Sequence, residues 1–282
     1  MHHEIRRQRR VLLAQTGLIF ALMLAVLLVS GLQVVGALGL AIVLGMGTFF
    51  FVQVQNRASE LRPQNAVELS RFRAPRLHAI LDELTHSAGL PRTPRVYLLA
   101  ANMMNAATLG SRERPILVVT PPILKTLTIE ELRAVLAHEI AHVRDNDLVS
   151  YRVAEAISMI TVVISRVGWL LVLLYLPVLL VSDVQIPLGL IAILLVAPVV
   201  SVLLQMALSR SREFSADLGA VELTDEPLAL ASALEKIDNI GKSMLYQVLP
   251  VPRKRESTIF RSHPAISQRV ERLRELARTP AS

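Results

Sequence analysis

The sequence predicts a mainly α-helical membrane protein: four transmembrane helices in two hairpins, with an α+β domain containing a small β-sheet built from the segments outside the bilayer. Three observations predict it. Of 282 residues, 52% are hydrophobic and only 4% aromatic, with no cysteine, a mixture foreign to an ordinary soluble domain of this length. Two long blocks are almost free of charge: 11–56 contains no Asp, Glu, Lys or Arg, and 167–209 is interrupted only by Asp183. Between them lie short β-rich runs bounded by Pro, Asn and Gly, the pattern of strands in a small sheet.

The first block is too long for one span. A single helix over 11–56 would reach roughly 70 Å at ~1.5 Å per residue, about twice a bilayer, so it must fold back. The stretch Gly31-Leu32-Gln33-Val34-Val35-Gly36 is the natural turn, with spans expected near 11–30 and 35–54. The second block makes another hairpin, with spans near 156–181 and 185–208. Arg6, Arg7, Arg9 and Arg10 precede the first apolar run, which is longer than a signal-peptide core and is followed at once by a second span; an uncleaved anchor is expected. Both hairpin loops lack Lys and Arg, whereas the first ten residues, the 57–133 region and the tail after 209 are rich in them. This places both termini and the domain on the cytoplasmic side of the plasma (inner) membrane. The net charge of +7 suits a neighbouring anionic leaflet of membrane lipids, and no basic–aromatic interleaving points to nucleic acid. The lack of cysteine is compatible with a reducing compartment.

Four segments follow: 1–56, N-terminus and first hairpin; 57–155, first part of the domain; 156–208, second hairpin; 209–282, second part of the domain. Pro63 and Pro75 bracket a linker, after which Leu77, Ile80, Leu81 and Leu84 recur at helical spacing until Gly89-Leu90-Pro91. Val96–Leu99 and Ile116–Val119 are expected as a hairpin or small sheet. The next helix begins near Thr128, with Glu131 three residues on in the order of a capping box. No Gly or Pro follows until Gly168, so the third span is expected to continue or bend from this helix. The fourth span, with a kink expected at Pro198, runs without further Pro into 209–221.

The chemistry centres on His138-Glu139-Ile140-Ala141-His142. Residues four apart share a helix face, so both imidazoles can reach one Zn²⁺ at about 2.0–2.1 Å. Glu139 lies about 100° round the helix, beside the ion, where a carboxylate serves as general base for a zinc-acidified water and passes the proton to the leaving amine. A catalytic zinc site needs a third protein ligand. His2 and His3 lie at the N-terminus, and His78 and His86 fall on or after a surface-type helix, which makes all four poor candidates. Glu213 is better placed, on a second helix with Asp217 four residues on, a spacing that lets Glu213 ligate while Asp217 accepts the far N–H of an imidazole. The competing reading is an exposed, salt-bridged face of Arg210, Arg212, Glu213 and Asp217; the residues alone leave the two balanced.

With these segments assembled, the chain resembles the HtpX-type membrane metalloproteases and, more distantly, the CAAX prenyl protease branch of the same peptidase group. Val135-Leu136-Ala137-His138-Glu139-Ile140-Ala141-His142 with Asp147 is similar to the family's first metal segment, and Ser209-Arg210-Ser211-Arg212-Glu213-Phe214-Ser215-Ala216-Asp217 to its second. The resemblance implies a zincin-like (gluzincin) catalytic domain holding one Zn²⁺ per chain, with His138, His142 and Glu213 as ligands, Glu139 as catalytic base and Asp217 behind the ligands. It also implies substrate-backbone binding by Asn105, oxyanion support from His263 in Ser262-His263-Pro264, and pairing of Arg269 with acidic groups near the metal. Ala107 stands where the family has Phe, and Pro122 where Gly is common.

The function so implied is an integral-membrane zinc endopeptidase that cleaves membrane or misfolded proteins in membrane-protein quality control. The alternatives are a processing peptidase for one membrane-bound substrate or, from another class, a proteolytically inactive four-span scaffold. Glu213 lies about five residues beyond the fourth span, roughly 8 Å along a helix, so zinc is expected close to the bilayer surface. Substrates are therefore expected to be membrane proteins or their juxtamembrane segments, bound as an extended strand near Asn105.

Overall fold

The computed structural model describes residues 2–58, 66–181, 188–248 and 266–278. Their elements run α1 (His2–Ala58), β1 (Ala66–Glu68), α2 (Pro75–Ser87), β2 (Arg95–Leu99), β3 (Ala106–Ser111), β4 (Arg114–Val119), α3 (Pro121–Thr126), α4 (Ile129–Arg144), α5 (Asp147–Val181), α6 (Leu188–Thr224), α7 (Pro227–Val248) and α8 (Ile266–Arg278). Mainly helical content with one small mixed sheet is what the sequence predicts. Among the described residues three helices are long and apolar enough to cross a membrane, over His3–Val29, Val153–Leu170 and Leu188–Thr224. The second expected span, 35–54, falls inside α1 in a stretch whose side chains are outside the described set. Helical geometry is interrupted there at Gly36 (φ 69°, ψ 179°), within the expected turn, at a residue type that adopts positive φ without strain.

The chain packs as two compact units: Met1–Leu13, Ala58–Val149 and Arg210–Ser282 form one, Ala14–Arg57 and Ser150–Ser209 the other. In the second unit Met23, Ala154 and Leu208 are fully buried together. Ser158 bonds Ser201 across α5 and α6, with the hydroxyls 3.0 Å apart. The first thirteen residues, which the sequence groups with the hairpin after them, pack in the sheet-bearing unit, where Ile5 and Leu12 enter the main core.

The sheet has the order β1-β2-β4-β3. The two apolar runs, expected as a hairpin or a small sheet, lie in one small sheet as parallel neighbours, β2 and β4, with Val96 opposite Leu117 and Leu98 opposite Val119. The hairpin is instead β3–β4, antiparallel from Ala106 opposite Val119 to Ser111 opposite Arg114. The reason lies in the connection: 100–113 is long enough for the crossover that a parallel pair needs, and β3 fits inside it. Gly110 permits the turn, because its φ is 91° and a Cβ there would sit 2.3 Å from the Arg114 carbonyl oxygen. Alternation divides the faces. Val96, Leu117 and Val119 enter the helix-packed core, while Tyr97, Ile116 and Val118 form a small cluster on the other face. This leaves β3 at the end of the sheet, next to α4.

α4 begins as its sequence predicts. Thr128 accepts from the Glu131 N–H at 3.3 Å, and Glu131 accepts from the Thr128 N–H at 2.9 Å, satisfying two otherwise orphaned donors. Glu131 is 5% exposed and also takes Ser232 Oγ and Lys236 Nζ of α7, each at 2.7 Å. Burial pushes its carboxyl up, but the Lys236, Ser232 and Thr128 hydrogen bonds outweigh that and hold it below the ordinary carboxylate range. Glu131→Ala is expected to cost about 2–3 kcal/mol, read as a lower unfolding midpoint of the purified protein. Because the folded pKa is depressed, this contribution is full above about pH 4.3 and is lost as pH falls through the folded value. A wild-type to Glu131→Ala difference that stayed constant down to pH 3 would contradict this account.

The expected continuity of α4 into the next helix does not hold. α4 stops at Arg144 and α5 starts at Asp147, with Asn146 between them at φ 55°. Asn tolerates this left-handed geometry better than most residues, so the chain breaks without Gly or Pro.

Candidate metal centre

The site assembles on α4 and α6 within the sheet-bearing unit. Leu136 and Ile140 are fully buried and dock one side of α4 in the core. His138 and His142, each about 200° further round the helix, turn away from it. The α6 backbone comes close because residue 219 is glycine: a Cβ there would lie 2.7 Å from Ala141 Cβ and 2.8 Å from Arg144 Nη2. Six and two residues earlier on α6 stand Glu213 and Asp217.

His138, His142 and Glu213 each offer one ligand atom, and these atoms lie within 4.8 Å of one another. The two Nε2 atoms are 3.1 Å apart, with Glu213 Oε2 3.6 Å from His138 Nε2 and Oε1 3.9 Å from His142 Nε2. Both rings are aimed from behind. His138 Nδ1 meets Asp217 Oδ1 at 3.0 Å and His142 Nδ1 meets Asp147 Oδ2 at 2.6 Å, so each Nδ1–H has a carboxylate acceptor and each Nε2 presents its lone pair to the other. Two such lone pairs at 3.1 Å repel unless a proton or cation lies between them. Ligand atoms at the corners of a tetrahedral zinc shell stand about 3.3 Å apart, close to these spacings. Two imidazoles and a carboxylate are a donor set that zinc favours, so these residues fit the ion.

The electrostatics agree. Burial pulls the His138 imidazolium down, but its hydrogen bonds with Asp217 and Glu213 outweigh that, and its pKa is pushed up to about 9. Burial raises Asp217, yet the Arg269 guanidinium and His138 beside it hold its carboxyl below the ordinary range. The Asp217 and Glu213 carboxylates that hold this proton would favour a metal dication in its place, with the proton released on binding.

Each aspartate is in turn held by an arginine. Arg269, 7% exposed, grips Asp217 through Nε at 2.7 Å and Nη2 at 2.6 Å and reaches Glu213 through Nη1 at 2.9 Å. Arg212 Nε lies 3.0 Å from Asp147 Oδ1. The break after α4 is what lets Asp147 serve His142. In a continuous helix a residue five positions on points about 140° away; through Asn146 it returns to the same imidazole. The exposed, salt-bridged face weighed for Arg212, Glu213 and Asp217 is therefore not what forms, since Arg212 is 9% and Asp217 4% exposed.

A cleft of about 420 Å³ opens before these groups. Asn105, Ala106, Ala107 and Thr108 of the sheet edge form one side, and Leu230, Leu234 and Ile237 of α7 contribute apolar lining, with His138, Glu139, His142 and Glu213 also along it. Thr108 Oγ1 donates to Glu139 Oε2 at 2.7 Å, fixing that carboxylate. Asn105 is anchored by its backbone, its N–H donating to Thr120 Oγ1 at 2.9 Å and its carbonyl accepting from the Thr120 N–H at 3.1 Å. His263 lies outside the described residues. His78, on α2, is 2.7 Å from the Leu69 carbonyl oxygen through Nε2 and is no part of the cluster. Sequence reasoning missed the roles of Thr108 and Arg212 and gave Asp147 no partner; the only signal was the position of Asp147 just past the second histidine.

Thr108→Val should leave the fold intact and lower kcat about 3- to 10-fold, the effect of freeing one oxygen of a buried-edge carboxylate worth about 1 kcal/mol. Unchanged kcat in steady-state peptide cleavage would separate this hydrogen bond from turnover.

A cleft with a sheet edge on one side and a His-Glu-x-x-His helix on the other, closed by a carboxylate from a second helix, is the architecture of a metallopeptidase class. The model of peptidase family M48 matches residues 71–277, and the chain belongs to that family. A Protease HtpX homolog of Burkholderia mallei (strain SAVP1) is 32% identical over 289 aligned residues, 94% of this chain and 97% of that protein. A Protease HtpX homolog of Burkholderia pseudomallei (strain K96243) matches to the same extent. The resemblance drawn from the two metal segments thus extends along almost the whole chain. The crystal structure of S. mikatae Ste24p shares the fold with a TM-score of 0.54 at 16% identity, over 91% of this chain and 62% of that one.

Proposed function

We propose that this M48 peptidase is an integral-membrane, zinc-dependent endopeptidase that cleaves membrane or misfolded proteins in membrane-protein quality control, with its catalytic domain on the cytoplasmic face of the plasma membrane. The observation that carries the metal-dependent reading is the convergence of His138, His142 and Glu213, with each histidine backed by its own buried aspartate. These three residues would hold one Zn²⁺ per chain. Bound zinc supplies a Lewis acid for the scissile carbonyl and brings the pKa of a coordinated water to about 7.

The chain's own groups account for the rest. Glu139, with Oε2 held by Thr108, keeps Oε1 to accept the proton of the attacking water and return it to the leaving amine. An extended substrate segment adds to the sheet edge at Asn105–Thr108, its main chain hydrogen-bonding that strand. Asp217 and Asp147 hold the imidazoles in the Nδ1–H tautomer, and Arg269 keeps Asp217 ionised while pairing with Glu213. His263 is assigned to the oxyanion through the family resemblance of its His-Pro segment.

The short sequence distance from the fourth span to Glu213 supports substrates that are themselves in or on the membrane. In proteoliposomes, a membrane-anchored substrate should be cleaved at least about tenfold faster than its soluble counterpart, because anchoring raises its effective concentration at the site, and a chelator should stop both. Equal rates for the two substrates would remove the membrane preference while leaving the peptidase chemistry standing.

A further inference from the structure

We propose that Arg9, in the N-terminal turns of α1, is a positioning residue of the metal centre: it clamps together, from behind, the two helices that carry the ligands. Its guanidinium takes both oxygens of Asp145 through Nη2, each at 2.8 Å, and Glu222 Oε2 through Nη1 at 2.6 Å. Asp145 caps α4 three residues after His142; Glu222 lies on α6 nine residues after Glu213. Arg144 closes the ring, with Nε 3.2 Å from Asp145 Oδ1 and Nη1 3.1 Å from Glu222 Oε2. Two arginines and two carboxylates thus form a neutral, mostly buried square, with side-chain exposures of 12–26%.

Its location decides what it does. Asp145 is half of the two-residue break in which Asn146 takes a left-handed conformation, and that break brings Asp147 onto His142. A left-handed non-glycine residue costs free energy and persists only where its surroundings over-determine it. Arg9 supplies such a constraint, since a guanidinium held by three charge-assisted hydrogen bonds fixes the Asp145 carboxylate in position and orientation. The N-terminal segment is held in place by packing too: Ile5 and Leu12 are in the core of this unit, and Ser211 Oγ donates to the Leu12 carbonyl at 3.4 Å. Arg6, Arg7 and Arg10, in the same basic run, are exposed. One arginine of the four therefore works inward, on the site.

The inference rests on zinc at His138, His142 and Glu213 and is tested on the full-length, detergent-purified protein. Arg9→Met should release zinc to a chelator about tenfold faster or more, the usual scale for a residue that acts through a ligand's partner, and should shift the visible absorption of the Co²⁺-substituted protein. Arg9→Lys, which keeps the charge without the fork, should recover part of the loss, and Arg10→Met should match wild type. Asp145→Asn provides a second route should Arg9→Met be poorly folded, and the Arg9→Met/Asp145→Asn pair should lose less than the sum of the two singles. Zinc retention and Co²⁺ spectra unchanged in both single variants would overturn the brace while leaving the metal site intact. Wild-type protein that binds no stoichiometric zinc, with His142→Ala indistinguishable from it, would instead overturn the metal site and the brace with it.

Discussion

Glu139→Gln is expected to keep zinc at one ion per chain and to lower kcat by at least about 10³-fold, within the range general-base catalysis contributes. The substitution is close to isosteric, and the Gln carbonyl can still accept the Thr108 hydroxyl that Glu139 takes at 2.7 Å. Fold and ligand set should therefore be untouched, and KM should change little. What is lost is the second oxygen's capacity to take a proton beside the cleft. Metal content by elemental analysis and turnover of an unfolded protein substrate measure the two halves of the prediction. Undiminished turnover with zinc bound would remove Glu139 from the mechanism as its general base.

Glu213→Ala should act on the other half, abolishing stoichiometric zinc and all cleavage while sparing most of the fold. An outer-shell partner costs about 10- to 100-fold in metal affinity; a ligand should exceed that. Arg269 keeps its two bonds to Asp217, so the buried guanidinium is not stranded when Glu213 is removed. Asp217→Asn is the informative comparison: it leaves the three ligands in place and should fall in the 10- to 100-fold band. If chelator competition gave the two variants equal zinc affinity, Glu213 would be a partner of Arg269 and not a ligand.

Local features of this fold were legible because their physics is local. The capping box at Thr128 and Glu131 needs residues three apart, and the two histidines need a four-residue step on one helix. Gly36 falls inside the turn expected from composition. The pairing of β2 with β4 was not legible, because two apolar runs carry no mark saying which neighbour each will take, and the strand between them lacks their β-branched density. The break at Asp145–Asn146 was also hidden: nothing in Asp-Asn-Asp forbids a helix, and the left-handed turn is sustained by Arg9, more than 130 residues away in the chain. For the same reason the N-terminal arginines read only as membrane-flanking charge, although the fold turns Arg9 onto Asp145 and Glu222.

By itself the sequence determined the chemistry available here: two imidazoles and a general base on one helix, a carboxylate on another, and apolar blocks long enough for membrane spans. Periodicity and spacing suffice for that, since each element is defined within a few turns of chain. Tertiary structure alone decided which acidic residues serve those histidines. Asp217, weighed equally as a solvated surface residue, is buried against His138 and Arg269; Asp147, expected inside a continuous helix, returns to His142. Thr108 reaches Glu139 from a strand the apolar pattern did not reveal. These partners are fixed by the approach of α6 to α4 over Gly219 and by the path of β3 along the cleft, and such distances are set by packing between segments, which no local pattern encodes.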